Sequence, residues 1–314
     1  MTDVMSDRHP VLQDVEMMVG TWAWGDRYIW GYGQEYGQDE IAAAFQACIQ
    51  SGMLFFDTAE VYGQGKSEEF LGRFLEGCSN NIRIATKFMP YPWRLQRASL
   101  LRALKASLRR LGLEKVALYQ VHQPLPPIQP ETWMDAMVEA LQAGLVEAVG
   151  VSNYSREWTD RSQNALLRAG FRLASNQVEY SLLNRQVEKN GLLRQCADQG
   201  ITVLAYSPLA MGVLTGKYSP EKPVKGVRSV VYNQKVLARI QPLIHLLNKI
   251  GSDHAGKTAA QVALNWVICK GAVPIAGVKT PVHALHNAGA LGWRLTEEEI
   301  EQLDFVSNQV TKDK

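Results

Sequence analysis

Eight short apolar runs, each followed by a stretch with helical spacing, constrain this chain most. They lie at 15–20, 54–56, 82–86, 116–121, 146–151, 172–178, 201–206 and 272–275. Mostly apolar runs of this length read as strands buried on both faces. Between the third and fourth runs, Leu101, Leu104, Leu108 and Leu111 form a stripe, with Arg102, Lys105, Arg109 and Arg110 off it. That is an amphipathic helix. Alternating strands and helices imply a parallel sheet, which is either open and doubly wound or closed as a (β/α)8 barrel. Eight units with no Gly-x-Gly-x-x-Gly after the first strand favour the barrel, as a single domain over residues 1–314.

Further helices are expected at 39–50, from an N-cap at Ser67, at 131–143, 235–250 and 258–270, and at the capped end TEEEIEQLDFV. The proline-rich HQPLPPIQP and a stretch from about 207 to 231 read as loops.

Composition removes several function classes. The chain has 314 residues, 46% hydrophobic and 20% charged, with a net charge of +2. So balanced a charge gives no basic surface for nucleic acid. No run reaches the length of a membrane span. Cys48, Cys78, Cys196 and Cys269 are scattered without metal spacing, so reduced thiols and no metal are expected. The first ten residues lack the pattern of a signal peptide. A soluble cytoplasmic protein is the expectation; its oligomeric state is left open, with a monomer preferred.

Barrel chemistry gathers at the carboxyl ends of the strands. Asp57 ends the second run, Lys87 the third and His122 the fourth, while Tyr62 sits in the glycine-marked loop after Asp57. Each alone has a bland reading: N-cap, surface charge, loop histidine, packing ring. Together they make chemical sense. A phenol with an ordinary pKa of about 10 is a poor acid at neutral pH. Lys87 would lower that value, Asp57 would keep Lys87 charged, and His122 could donate to a carbonyl oxygen. The set holds no covalent nucleophile and no electron source, so a redox cofactor is required.

FDTAEVYGQGKSEEFLG, IATKF, VHQP, VGVSNY, YSPLAMGVLTGKY and PIAGVKTPVHALHNAGALGW, in this order, resemble the motifs of the aldo-keto reductase family. The likeness runs from Gly20 to Trp293. GTWAWG, YPWRL, NWVICKG and HNAGALGWRLT are most similar to the branch of plant pyridoxal reductases and their bacterial relatives.

The resemblance implies a (β/α)8 barrel and hydride transfer from NADPH to a small aldehyde or ketone, with Asp57, Tyr62, Lys87 and His122 as the catalytic tetrad. It puts Gly20, Thr21, Trp22 and Asp57 near the nicotinamide, Ser152, Asn153 and Gln177 on its carboxamide, and Tyr206 stacked on its ring. Ser207, Pro208, Leu209, Gly212, Leu214 and Lys217 would line the pyrophosphate, with loop amides donating. Arg228 falls at a basic position of the long loop. Gly277, Lys279, His283, His286 and Asn287 fall at the adenosine end. Many family members carry Arg at the position of His283, and a neutral imidazole grips a phosphate less well. Lys279 and Arg228 would compensate.

Trp22, Trp24, Tyr28, Trp30, Tyr91 and Trp93 follow the first and third runs. They could wall a substrate pocket, chiefly Trp22, Trp24, Trp30 and Trp93, or merely cap the barrel. Stacked rings would suit pyridoxal or another aromatic aldehyde. Two other functions stand beside this one: a cofactor-holding sensor or channel-associated subunit with slow turnover, and an aldolase using Lys87 as a Schiff base.

Overall fold

The computed structural model of the chain describes residues 7–78 and 81–311, so most of the N-terminal stretch read for a signal peptide lies outside it. Eight parallel strands follow one another around a ring: β1 (Met18–Gly20), β2 (Phe55–Asp57), β3 (Arg83–Phe88), β4 (Val116–Val121), β5 (Val146–Ser152), β6 (Ser175–Glu179), β7 (Thr202–Tyr206) and β8 (Val273–Gly277). β1 pairs with both β2 and β8, so the sheet has no edge and the open alternative is ruled out. The fold is a closed (β/α)8 barrel.

Side chains two apart on a strand share a face, and this periodicity builds the site. Inside the lower barrel lie Met18, Phe55, Ala85, Leu118, Ala148, Leu204 and Ile275. Leu12 and Val15 plug them from below. Two residues further along their strands, Phe55, Ala85 and Leu118 give way to Asp57, Lys87 and Gln120. Apolar packing therefore holds the floor, and polar groups replace it at the carboxyl end. Gly150 of β5 is part of this layer: a Cβ there would stand 2.3 Å from Ser175 Oγ and 3.0 Å from Gln120 Cγ. Only glycine leaves room for those two side chains.

Several expected boundaries move. β3 continues past 86 through Lys87 to Phe88. The helix expected from Ser67 begins at Lys66, with Gly65 at the cap in the left-handed region (φ 92°). Ser67 is instead fully buried, joining Thr21 Oγ1 at 2.7 Å and accepting from Thr58 Oγ1 at 2.9 Å. The 235–250 stretch splits into Gln234–Arg239 and Gln241–Asp253, where Pro242 starts a new helix because it lacks an N–H to donate backwards. The helix Arg156–Arg168, capped by Ser155, has a face too polar to be read from apolar spacing. The final helix, Glu297–Val310, carries the expected capping box of Thr296 and Glu299. The long loop after β7 contains two helical turns, Ala210–Thr215 and Arg228–Val231. Among the described residues no helix is long and apolar enough to cross a membrane. The four cysteines are free thiols.

Candidate active site

Lys87 reaches from β3 into the upper barrel and is fully buried. Its ammonium donates to Asp57 Oδ2 at 2.6 Å, to the Thr58 carbonyl at 2.8 Å and to the Tyr62 hydroxyl at 3.2 Å. Three acceptors match the three protons of an ammonium. Burial alone would strip its charge, but Asp57 and Tyr62 more than offset that, and its pKa is raised. A charged amine with all three protons engaged is no nucleophile, which removes the Schiff-base reading of Lys87.

Tyr62 opens a tight turn with Gly63 (φ 55°) and Gln64 (φ 59°) in the left-handed region. A Cβ on Gly63 would meet the Gly25 backbone at 3.0 Å, so glycine is needed there on two counts. Burial pushes the phenol's pKa up, Lys87 pulls it down, and the net shift is upward. The expected lowering by Lys87 is thus present as one contribution and outweighed by burial. His122 follows β4 with its ring edge-on to Tyr62 at 5.8 Å. Burial and the Lys87 charge depress its pKa to about 3, so the imidazole is neutral across the physiological range. Its Nδ1 is buried without a hydrogen-bond partner among the described residues.

Asp57 is held from the other side as well. Gln177 Nε2 donates to Asp57 Oδ1 at 2.9 Å, and Gln120 Nε2 lies 3.4 Å from the same oxygen. Gln177, expected on the nicotinamide carboxamide, thus has its amide nitrogen engaged by Asp57. Ser152 is also buried and donates to the Gln177 carbonyl at 2.8 Å. Asn153 is exposed in the left-handed region (φ 60°), and accepts from the half-buried Tyr206 hydroxyl at 3.0 Å. Gly20 pairs in register with Asp57 and Gly277. Thr21 is buried and donates to the Asp57 carbonyl at 3.0 Å.

The loop after β7 differs from its expected role in part. Leu214 is core, and the amides of Gly212 and Leu214 both donate to the Leu209 carbonyl. Both amides are thus engaged within the loop itself. Pro208 is buried, while Ser207, Leu209 and Gly212 are half-buried and Lys217 is exposed. Ser207, Ala210, Met211 and Gly212 all have positive φ, which folds this loop tightly over the barrel mouth.

Cations crowd the rim beside it. Lys279 donates to the Trp30 carbonyl at 2.8 Å and lies 3.8 Å from Glu35. Burial, with Arg228 and Lys217 adding to it against Glu35, lowers its pKa to about 8. His283 is lowered by burial, Lys217, Lys279 and His286. Its Nδ1 accepts from the Lys279 amide at 3.3 Å. Gly277 is exposed with open space above it, His286 is exposed, and Asn287 is buried, donating to the Gly277 carbonyl at 3.3 Å. Like charges that depress one another's protonation form a natural seat for a polyanion.

The aldo/keto reductase family model matches residues 16–308. The chain belongs to the aldo/keto reductase family. It is an oxidoreductase of that family. It is 40% identical over 309 residues to the chloroplastic pyridoxal reductase of Arabidopsis thaliana, covering 94% of this chain and 84% of the relative. It is 29% identical to an aldo-keto reductase of Bacillus subtilis, over 94% of this chain and 90% of that one. Among solved structures, a Klebsiella pneumoniae aldo-keto reductase in complex with NADPH superposes with a TM-score of 0.73 at 28% identity, over 93% of this chain and 90% of that one.

The aromatic residues divide. Trp22 is half-buried and stacks on Tyr62 with centroids 6.3 Å apart, and Trp30 meets it edge-on at 5.6 Å. Arg228 lies 5.4 Å from the Trp30 centroid. Trp24 must be struck from the substrate wall. It is fully buried outside the barrel, donates Nε1 to the Val278 carbonyl at 2.7 Å and packs on Phe56 and Phe74. Trp93 stands 74% exposed, stacked on Tyr91 at 4.8 Å, and Tyr28 is exposed.

Sequence reasoning passed over Gln120 and Thr58. Gln120 had a usable signal, a lone amide inside an apolar run and two residues before His122. Thr58 acts through its backbone carbonyl, which no side-chain pattern reveals.

Proposed function

We propose that the chain reduces an aldehyde or ketone to an alcohol with NADPH, Tyr62 giving the proton, and that pyridoxal is its substrate. One observation carries this reading: the Lys87 ammonium lies between the Asp57 carboxylate and the Tyr62 hydroxyl beneath the barrel mouth. Bound NADPH supplies the hydride. His122, neutral, orients the carbonyl oxygen by donating a hydrogen bond. Tyr62 holds its proton at rest, because burial keeps the phenol above its ordinary pKa. It yields that proton when the carbonyl oxygen becomes negative. Lys87 then faces the phenolate and stabilises it, which is electrostatic preorganisation. Asp57 and the Thr58 carbonyl fix Lys87 so that no rearrangement accompanies the step.

The crowded cations fit NADPH's extra phosphate, with Lys279, Arg228 and Lys217 holding it and His283 beside them. This makes a signed prediction. A phosphate favours protonated Lys279, and Lys279 unbound loses its proton near pH 8. NADPH affinity should therefore fall as pH rises from 7 to 9, while NADH affinity changes less. Lys279→Met should flatten the NADPH curve and narrow the gap between the two cofactors. Fluorescence titrations at each pH check it, and a wild-type gap that is absent, or unmoved by pH, contradicts the assignment.

Pyridoxal rests on the similarity to the Arabidopsis pyridoxal reductase and on the rings at the mouth. Trp22 stacks on Tyr62 and Trp30 stands edge-on to Trp22, and a flat heteroaromatic ring suits such walls better than a flexible sugar. The specificity constant for pyridoxal should exceed those for aliphatic aldehydes and ketosteroids in a panel, with nitrobenzaldehydes also accepted. Pyridoxal at the bottom of that panel overturns the substrate while leaving the reductase.

A further inference from the structure

Glu60 lies two residues before Tyr62, yet its carboxylate turns away from the catalytic groups. The side chain is only 8% exposed. Glu60 Oε1 accepts from the Met89 amide at 2.7 Å and from the Arg94 guanidinium. Arg94 also donates to the Met89 carbonyl at 3.1 Å, and its guanidinium lies 5.2 Å from the Tyr91 ring and 5.5 Å from Phe88. Tyr91 in turn stacks flat on Trp93, with planes 5° apart. One carboxylate thus ties the segment bearing Tyr62 to the loop bearing the exposed ring pair.

A buried carboxylate demands partners, and here both come from the same neighbouring loop. Trp93 is a large ring left mostly in water, held by its stack on Tyr91 and by Arg94 behind that stack. Burying an exposed ring against a flat ligand is favourable, provided the ring is already held in place.

We propose that Glu60 is a positioning residue: through Arg94 it sets the Tyr91–Trp93 stack, on the loop that leaves the carboxyl end of β3 just past Lys87, as the outer wall for a planar aldehyde. This rests on the aldehyde-reductase reading above. Because the Glu60 carboxylate neutralises Arg94, the wall presents aromatic faces rather than a bare cation.

The test compares the wild type, Glu60→Gln, Arg94→Gln and the double variant on pyridoxal and on propanal at saturating NADPH. Glu60→Gln should raise KM for pyridoxal about tenfold and leave kcat within about twofold, because the wall must then be ordered on binding. Propanal KM and NADPH affinity should not change. Arg94→Gln should show the same split, and the double variant should be no worse than either single, since both remove one interaction. A wild type inactive on every aldehyde defeats the underlying reading. An active wild type with pyridoxal KM unchanged in Glu60→Gln, or kcat falling equally on both substrates, overturns the positioning role. So does Glu60→Gln failing to fold while Arg94→Gln folds and binds pyridoxal normally.

Discussion

Tyr62→Phe should lower carbonyl reduction by at least about a hundredfold, the usual worth of a general acid. The substitution keeps the ring and so keeps the stack on Trp22 and the edge contact with His122. It removes the hydroxyl to which Lys87 donates, at 3.2 Å. Cofactor affinity should be nearly unchanged, and the folded state should be no less stable. The pH dependence sharpens the prediction. Burial raises the Tyr62 pKa above its ordinary value, so the phenol remains protonated throughout the neutral range. Reduction should therefore show a basic limb only at high pH. His122, depressed to about 3, should contribute no limb near pH 6.5. Near-normal turnover in Tyr62→Phe would assign the proton to another group.

The second large effect belongs to the buried ion pair. Lys87→Met should reduce turnover by about a thousandfold or more, since it removes the charge that stabilises the phenolate. It also strands Asp57, which is 2% exposed, without its cation. Breaking a buried pair on one side costs about 3–5 kcal/mol, whereas removing both charges is often nearly neutral. Lys87→Met should thus melt several degrees lower, and adding Asp57→Asn should restore much of that loss while restoring no activity. Gln177 and Gln120, which face Asp57, can hydrogen-bond an asparagine there equally well. Thermal unfolding and initial rates on the three variants separate the two roles. Activity recovered together with stability would make the pair structural only.

The barrel was legible because its strands are buried on both faces and so leave mostly apolar runs. Asp57, Lys87 and His122 were legible for the same reason, as polar residues at the ends of those runs. Trp24 was misassigned because a tryptophan after a strand can turn toward the mouth or toward the helical layer. That choice depends on the carbonyl of Val278, more than two hundred residues away in sequence. Ser67 looked like a helix cap, yet its hydroxyl serves Thr21 and Thr58 across the barrel wall. Leu214 and Gly212 sit in a loop whose amides bond back to the Leu209 carbonyl through a run of positive φ values, which Ala210 and Met211 share although neither is glycine. Spacing along the chain carries periodicity and register, but not the direction in which a loop folds.

The proposed reaction moves a hydride from NADPH to a carbonyl carbon under the control of Tyr62. It is tested most directly by following isotope. NADPH carrying deuterium on the transferable position of its nicotinamide is incubated with pyridoxal and the wild-type protein, and the alcohol is examined by mass spectrometry. One deuterium should appear on the carbinol carbon over many turnovers, and the same label should appear at least about a hundredfold more slowly with Tyr62→Phe. Alcohol formed without the label, or label transferred equally fast by Tyr62→Phe, would contradict the account.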